Sequence, residues 1–533
     1  MRESVVPNSG LACRGYNARI TSCDLRLLFF KVLVQPGIRG NMPMKQTNPE
    51  NPGITLLGLG PGSADLLTRQ AWHILEQAEE IYLRTRQHLA VASLPPQLMI
   101  HSFDELYEAA RSFDEVYTRI VEKILVLGQR PQGVIYAVPG HPYFAEATCP
   151  EIARRAAVEN IPVRVVEGLS FLEPTFTALG HDPLPHTAVV DALEMANAHV
   201  PPFPPSVPAV VAQIYSQSVA SDVKLTLMAL YPDEFRVRFV HAAGTADVQV
   251  EELALYEIDR SPNIGLLSTL YVPPLGQATS FEAFQEIIAH LRAPDGCPWD
   301  REQTHMSLRP YLLEEAYEVL AALDAQDPQE MQEEFGDLLL QIVLHAQIAE
   351  EYGEFTMADV LDSIHTKIVH RHPHVFGDLT LEQASDVLVN WERLKEQERA
   401  EKGNAETSLL DGVALELPAL VQAEQYQKRA SRVGFDWPEV SGVLDKVDEE
   451  LAEVNAASNH AEREGEIGDL LFAVANLARW YGVDPESALR ATNQRFRERF
   501  AYIEKKARQR GRSVSDLGLD EMEALWQEAK KVK

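Results

Sequence analysis

Glu315 and Glu318 sit three residues apart inside an apolar run, and Glu334 and Asp337 repeat that spacing further on. In a helix, residues three apart share a face. Pro328 lies between the pairs and suits a turn or helix start, so the segment predicts an αα-hairpin with its two carboxylate pairs face to face. Four clustered carboxylates repel, so two should protonate or the site should open. A hard divalent cation removes that conflict. Mg²⁺ takes oxygen ligands and keeps waters that substrate phosphates can replace. The same set returns as Glu450, Glu453, Glu466 and Asp469. Gly336 and Gly468 occupy equivalent places, where a missing side chain is expected to allow close helix approach. The alternative is a solvated helix face, but such a face has no reason to keep the same offsets twice.

Cations and indoles follow each set. Lys367 and Arg371 are four apart, as are Arg495 and Arg499, Trp391 and Lys395, and Trp526 and Lys530. An indole can stack on a base, and a cation can reach phosphate oxygens. In the alternative reading, Trp391 and Trp526 are core or lid residues and the cations pair with surplus acids.

The elements that carry these residues form an internal repeat. "EEAYEV" (Glu314–Val319) recurs as "EELAEV" (Glu449–Val454), and "EEFGDLLLQIVLHA" recurs as "GEIGDLLFAVANLA". "HTKIVHR" is matched by "NQRFRER", and "WERLK" by "WQEAK", in the same order. From Phe281 to Lys533 the apolar period is helical, which predicts two all-α units, 281–400 and 415–533, joined around "EKGNAETSLLDGVALELPALV".

Upstream, from Gly53 to about Tyr271, strand-like runs alternate with helical ones: "GITLLGLG", "GVIYAVPG", "PVRVVEG", "AVVAQIY", "RVRFVHAAG" and "EELALYEI". That alternation predicts an α/β domain over 53–270 with a mainly parallel sheet. The Pro-rich "VPPFPPSVP" (Val200–Pro208) is expected to divide it into two lobes, and the boundary with the helical half is expected near Pro274. Residues 1–50 are expected to be a poorly structured extension. It contains "LRLLFFKVLV", which is short and charged, and Met42 and Met44 as alternative starts.

There are 79 Asp and Glu against 48 Lys and Arg, a net charge of -31. Such a surface repels nucleic-acid phosphates, so a nucleic-acid partner is not expected. A polyanionic small molecule remains accessible if a metal supplies the positive charge. The cysteines, Cys13, Cys23, Cys149 and Cys297, are scattered without metal spacing, which predicts reduced thiols and a cytoplasmic protein. No apolar run approaches the roughly 18 residues of a membrane span, so no membrane partner is expected.

The helical half resembles the MazG nucleoside triphosphate pyrophosphohydrolases. The resemblance rests on "GCPWDREQTHMSLRPYLLEEAYEV", "VHRHPHVFGD" and "QKRASRVGFDW" and covers about Phe281 to Lys533. It implies Mg²⁺-dependent hydrolysis of a nucleoside triphosphate to monophosphate and pyrophosphate, in a homodimer formed through the helical units, with the second unit carrying the reaction. Glu450, Glu453, Glu466 and Asp469 would be metal ligands, and Glu449 would orient or deprotonate the water. Arg495, Arg499, Trp526 and Lys530 would contact nucleotide, with Arg495 standing where the family often has Lys.

The front half resembles the tetrapyrrole (corrin/porphyrin) methylases over about Gly53 to Ile258. "GLGPGSADLLTRQA" (with Gly58, Gly60, Pro61 and Gly62), "YAVPGHPYFAEAT" (with Pro139, Gly140 and His141) and "EGLSFLEP" (with Ser170) carry the resemblance. It implies S-adenosylmethionine held by those residues between two α/β lobes. Many members have Gly-Asp-Pro where this chain has Gly140-His141-Pro142, which makes the usual tetrapyrrole substrate doubtful. The fusion resembles the YabN-type proteins. Two alternatives stand beside hydrolysis: methyl transfer as the main activity with regulatory helical units, or a helical half that only dimerises.

Overall fold

The computed structural model describes residues 52–110, 113–381, 383–401 and 408–531. The expected extension over 1–50 and part of the expected linker lie outside the described residues. The chain divides into two compact units, one ending at Ala283 and the other beginning at Phe284.

In the first unit, one sheet is parallel throughout, in the order β3-β2-β4-β1-β5. Its strands are β1 (Ile54–Gly58), β2 (Glu80–Leu83), β3 (Met99–Ser102), β4 (Val134–Val138) and β5 (Val163–Val166). The central strands are apolar on both faces, as a sheet covered on both sides requires. Alternation along them splits the core. Ile54, Leu56 and Tyr136 join one cluster, while Leu57 and Ala137 join the other. Helix α1 (Arg69–Gln77) begins where Thr68 accepts a hydrogen bond from the Ala71 amide.

A second sheet has the order β6-β7-β10-β8-β9, with β6 (Ala188–Asp191), β7 (Ala209–Ala212), β8 (Arg236–His241), β9 (Gln249–Ala254) and β10 (Ser268–Val272). Only β6 and β7 pair in parallel; the remaining pairs are antiparallel. The mainly parallel sheet expected from the sequence therefore describes the first lobe, and the second is mixed. The Pro-rich run does not divide the lobes. It lies between β6 and β7, inside the second lobe, where Phe203 is buried in the core. The change of lobe falls between β5 and β6. "EELALYEI" is strand only to Ala254; the next turn is 3₁₀ and buries Leu255 and Ile258 in the same core.

In the second unit, α2 (His305–Ala325) and α3 (Pro328–Tyr352) form a hairpin, followed by α4 (Met357–Arg371) and α5 (Ala384–Glu401). Gln326 takes a left-handed conformation at the turn, and the Asp327 carboxylate accepts from the Gln329 and Glu330 amides to start α3. After α6 (Ala419–Arg432) comes a second hairpin, α7 (Val440–Ala456) and α8 (His460–Trp480), with Asn459 capping α8 through the Glu462 amide. Helices α9 (Pro485–Gln509) and α10 (Leu519–Ala529) follow. Gly336 and Gly468 do not bring helices together as expected. Both are exposed, and a Cβ at either would meet nothing within 4 Å. Among the described residues no helix is long and apolar enough to cross a membrane.

Candidate functional site

Each hairpin gathers carboxylates. Oxygens of Glu315 on α2 and of Glu334 and Asp337 on α3 lie within 4.8 Å of one another, as do those of Glu450 on α7 and of Glu466 and Asp469 on α8. Glu318 and Glu453 stand at the edges of these groups and are exposed. Burial, then the charges of Asp337 and Glu318, hold the Glu315 carboxyl above its ordinary range. Glu334 is raised by burial and by Glu318, and Glu466 by burial and by Glu453, Glu450 and Asp469. Repulsion of this kind is what a bound cation relieves.

The copies differ. In the second, Lys446 Nζ lies 2.5 Å from Glu450 and 3.2 Å from Glu449, and these partners hold its ammonium above the usual lysine range. Aligning Glu450 with Glu315 places Tyr311 at the position of Lys446. Glu450 is buried, and its Oε2 has no hydrogen-bond partner. An orphaned carboxylate oxygen beside two further carboxylates is the donor set that a hard cation takes. A cavity of about 330 Å³ opens beside this cluster, lined by Lys446, Glu450 and Asp469 together with Phe435, Trp437 and Phe472.

The expected nucleotide contacts are placed differently. Arg371 is engaged by Glu398, with Nε at 3.1 Å and Nη2 at 2.5 Å, and that pairing brings the Glu398 carboxyl down to about 2. This is the charge-pairing alternative for the first copy. The repeat puts Lys533, outside the described residues, at the place of Glu398. Lys367 is half-buried on α4, and Lys395 Nζ lies 3.9 Å from the centre of the Trp391 ring on its own helix.

In the second copy, Arg495 donates to Thr492 Oγ1 at 2.7 Å, and the Arg499 guanidinium stands 5.5 Å from the Trp526 ring centre. Trp526 also packs on Phe496 and the small apolar cluster of Leu517 and Leu525. Lys530 is exposed at the end of α10. Arg495, Arg499, Trp526 and Lys530 are not among the residues lining the cavity. Lys446 belongs to none of the repeated motifs; its one signal in the sequence is a position four residues before Glu450, which puts both on one face.

In the first unit the glycines divide by role. A Cβ on Gly58 would stand 2.6 Å from the Gly140 carbonyl oxygen and 2.7 Å from the Gly168 nitrogen. Gly60 (φ +73°) and Gly140 (φ +69°) exchange two backbone hydrogen bonds, of 3.2 and 2.7 Å. Both are in the left-handed region that glycine tolerates. Gly62 packs against Gly244 and Thr245. Pro61, Pro139, Gly140, His141 and Ser170 line a cavity of about 200 Å³. His141 Nδ1 accepts from the Tyr143 amide, and Ser170 Oγ donates to Glu173. Arg84, unmarked by any motif, also lines this cavity and is held by Glu146, Tyr107 and Tyr117. His88 Nε2 lies 3.0 Å from the Gly60 carbonyl oxygen, and burial lowers the tendency of the ring to protonate.

Two family descriptions match the chain: "Tetrapyrrole (Corrin/Porphyrin) Methylases" over residues 53–259 and "MazG nucleotide pyrophosphohydrolase domain" over 303–376. The second match falls within the first helical copy. The chain is 42% identical over 493 residues to the uncharacterized protein YabN of Bacillus subtilis, covering 90% of this chain and 98% of that protein. It is 44% identical over 250 residues to the nucleoside triphosphate pyrophosphohydrolase/pyrophosphatase MazG of Thermotoga maritima, covering 47% of this chain and 95% of that one. With the nucleoside triphosphate pyrophosphohydrolase of Escherichia coli K12 the identity is 45% over 251 residues, covering 46% and 95%.

Proposed function

From a chain that belongs to the YabN-type family, in which a tetrapyrrole-methylase domain is joined to MazG units, we propose a Mg²⁺-dependent nucleoside triphosphate pyrophosphohydrolase. The observation that carries this is the convergence, in both hairpins, of three carboxylates within 4.8 Å. Glu450, Glu453, Glu466 and Asp469 would hold the metal in the second copy. Magnesium bound there supplies positive charge to phosphate oxygens and acidifies water. Glu449, exposed and 3.2 Å from Lys446, orients the attacking water and takes its proton. Water oxygen bonds to the α-phosphorus, the bond to the bridging oxygen breaks, and pyrophosphate leaves.

The second copy is the reactive one in this reading. It has the Lys446 contact, the cavity and a buried Glu450, whereas Arg371 of the first copy is committed to Glu398. The test is pyrophosphate release from a panel of nucleoside triphosphates with Mg²⁺. Activity lost to a chelator and restored by Mg²⁺ supports the reading; no release from any member of the panel rejects it.

S-adenosylmethionine binding is proposed for the cavity lined by Pro61, Pro139, Gly140, His141 and Ser170. The sharp turns at Gly60 and Gly140 form a cradle that side chains at those positions would strain. That cavity also supports the second reading, with methyl transfer as the main activity and regulatory helical units. Calorimetric titration with S-adenosylmethionine decides whether the front site takes the cofactor.

A homodimer through the helical units is proposed because apolar side chains such as Leu313, Phe335, Leu451 and Leu471 are at least half exposed there. Sedimentation as a monomer at micromolar concentration would exclude it. A cytoplasmic location completes the reading; fractionation that finds the protein outside that compartment would overturn it.

A further inference from the structure

Among the polar groups that line the cavity beside the second carboxylate cluster, Gln427 carries a buried acceptor outside the carboxylate set that has no partner. Gln427 is 8% exposed, and its Nε2 donates to the backbone carbonyl of Phe472 at 2.8 Å. A carbonyl only accepts, so the amide nitrogen is committed to that side, and Oε1 is left as an acceptor. Gln427 Oε1 is buried and has no partner. A buried acceptor without a donor is costly, and native interiors rarely leave one unless something else supplies the hydrogen bond.

The rest of the wall suits a flat aromatic ligand. Tyr426, Phe435, Trp437 and Phe472 line the cavity. The Trp437 backbone is anchored: its amide donates to Asp436 Oδ1, which also accepts from Arg479 Nη2 at 2.7 Å and from Trp480 Nε1 at 3.1 Å. Arg479 Nε in turn donates to Asn476 Oδ1 at 2.8 Å. The volume of about 330 Å³ falls at the small end of ligand pockets, which run from about 300 to 1,000 Å³. Glu450 and Asp469 border the same space, so a base seated here would have its phosphates near the carboxylates. Trp526, the base-stacking candidate from sequence, packs instead within its own cluster.

We propose that this cavity seats the nucleobase and that Gln427 Oε1 accepts an N–H from the edge of the base. The proposal rests on the reading of the carboxylate cluster as a nucleotide site. It makes Gln427 a specificity-determining residue, selecting bases that present an N–H over analogues that have lost it.

The experiment is equilibrium binding of cytidine and uridine monophosphates to the full chain with Mg²⁺. Their N-methylated counterparts, N4,N4-dimethylcytidine and 3-methyluridine monophosphates, are the donor-deleted probes. Wild type should bind each methylated probe weaker than its parent, on the order of tenfold or more, as expected for an unpaired buried acceptor. In Gln427→Leu, which removes the acceptor and keeps an apolar side chain, the gap should close. Equal binding of parent and methylated probes by wild type overturns the proposal. So does a gap that survives in Gln427→Leu, because the methyl groups then act only through their bulk. The wild-type comparison does not depend on how well the variant folds. Pyrophosphate release is read separately. A chain that shows the expected gap but releases no pyrophosphate keeps the base seat and loses the hydrolase reading. A chain that hydrolyses parent and methylated triphosphates equally well loses the base seat alone.

Discussion

Glu315, Glu334 and Glu466 carry carboxyls pushed upward by burial and by neighbouring carboxylates. Such a group binds its proton more tightly in the folded chain. Its contribution to stability is complete below the unfolded value and is lost as pH rises through the folded value. In metal-free buffer the clusters should therefore weaken the fold as pH climbs from about 4 toward neutrality. Mg²⁺ should reverse this, raising the melting temperature at neutral pH and doing so less in acid, where protons already neutralise the clusters. Thermal melts with and without Mg²⁺ at both pH values check it; an increment that is absent at neutral pH, or equal at both, contradicts it. Glu315→Gln should raise the metal-free melting temperature on the order of 1 °C by removing one like charge. The carboxylate offsets were legible because helical spacing alone places them. Lys446 and Gln427 were not singled out: a lysine in an acidic helix, or a glutamine within a longer motif, looks ordinary until its partners are known.

Helices bring those residues together, and their ends are set by short polar signals. Asn459 starts α8 by accepting from the Glu462 amide, which sets the first turn of the helix that carries Glu466 and Asp469. Asn459→Ala should cost about 1 kcal/mol, read as a lower denaturant midpoint with an unchanged slope. Glu398→Gln should cost a similar ~1 kcal/mol by removing the charged pair that joins α5 to Arg371 of α4. The two hairpins followed from apolar period and repeat. The lobe joint did not, because a Pro-rich run marks irregular backbone but not its position relative to a core, and Phe203 anchors this one inside the second lobe. The glycines were half legible. Gly58 and Gly60 sit at real close approaches, whereas Gly336 and Gly468 face open space within this chain. Glycine in a motif does not say which neighbour it makes room for.

At the scale of the molecule, two compact units carry two kinds of site, and damage to one should spare the other. Gly58→Val places a side chain against the backbone of Gly140 and Gly168. It should abolish S-adenosylmethionine binding while leaving pyrophosphate release within about twofold, since an overpacking cost of about 1–3 kcal/mol falls on the other unit. Loss of both activities would show that the sites are coupled. With a net charge of -31, a triphosphate has little reason to approach without a cation, so the whole account turns on the acidic clusters. The decisive measurement is Mg²⁺-dependent pyrophosphate release by wild type, Glu450→Gln/Glu453→Gln and Glu315→Gln/Glu318→Gln. The account predicts a fall of at least about 100-fold, roughly 2.7 kcal/mol of barrier, for the first double variant and little change for the second. Turnover at the wild-type rate by Glu450→Gln/Glu453→Gln would contradict it.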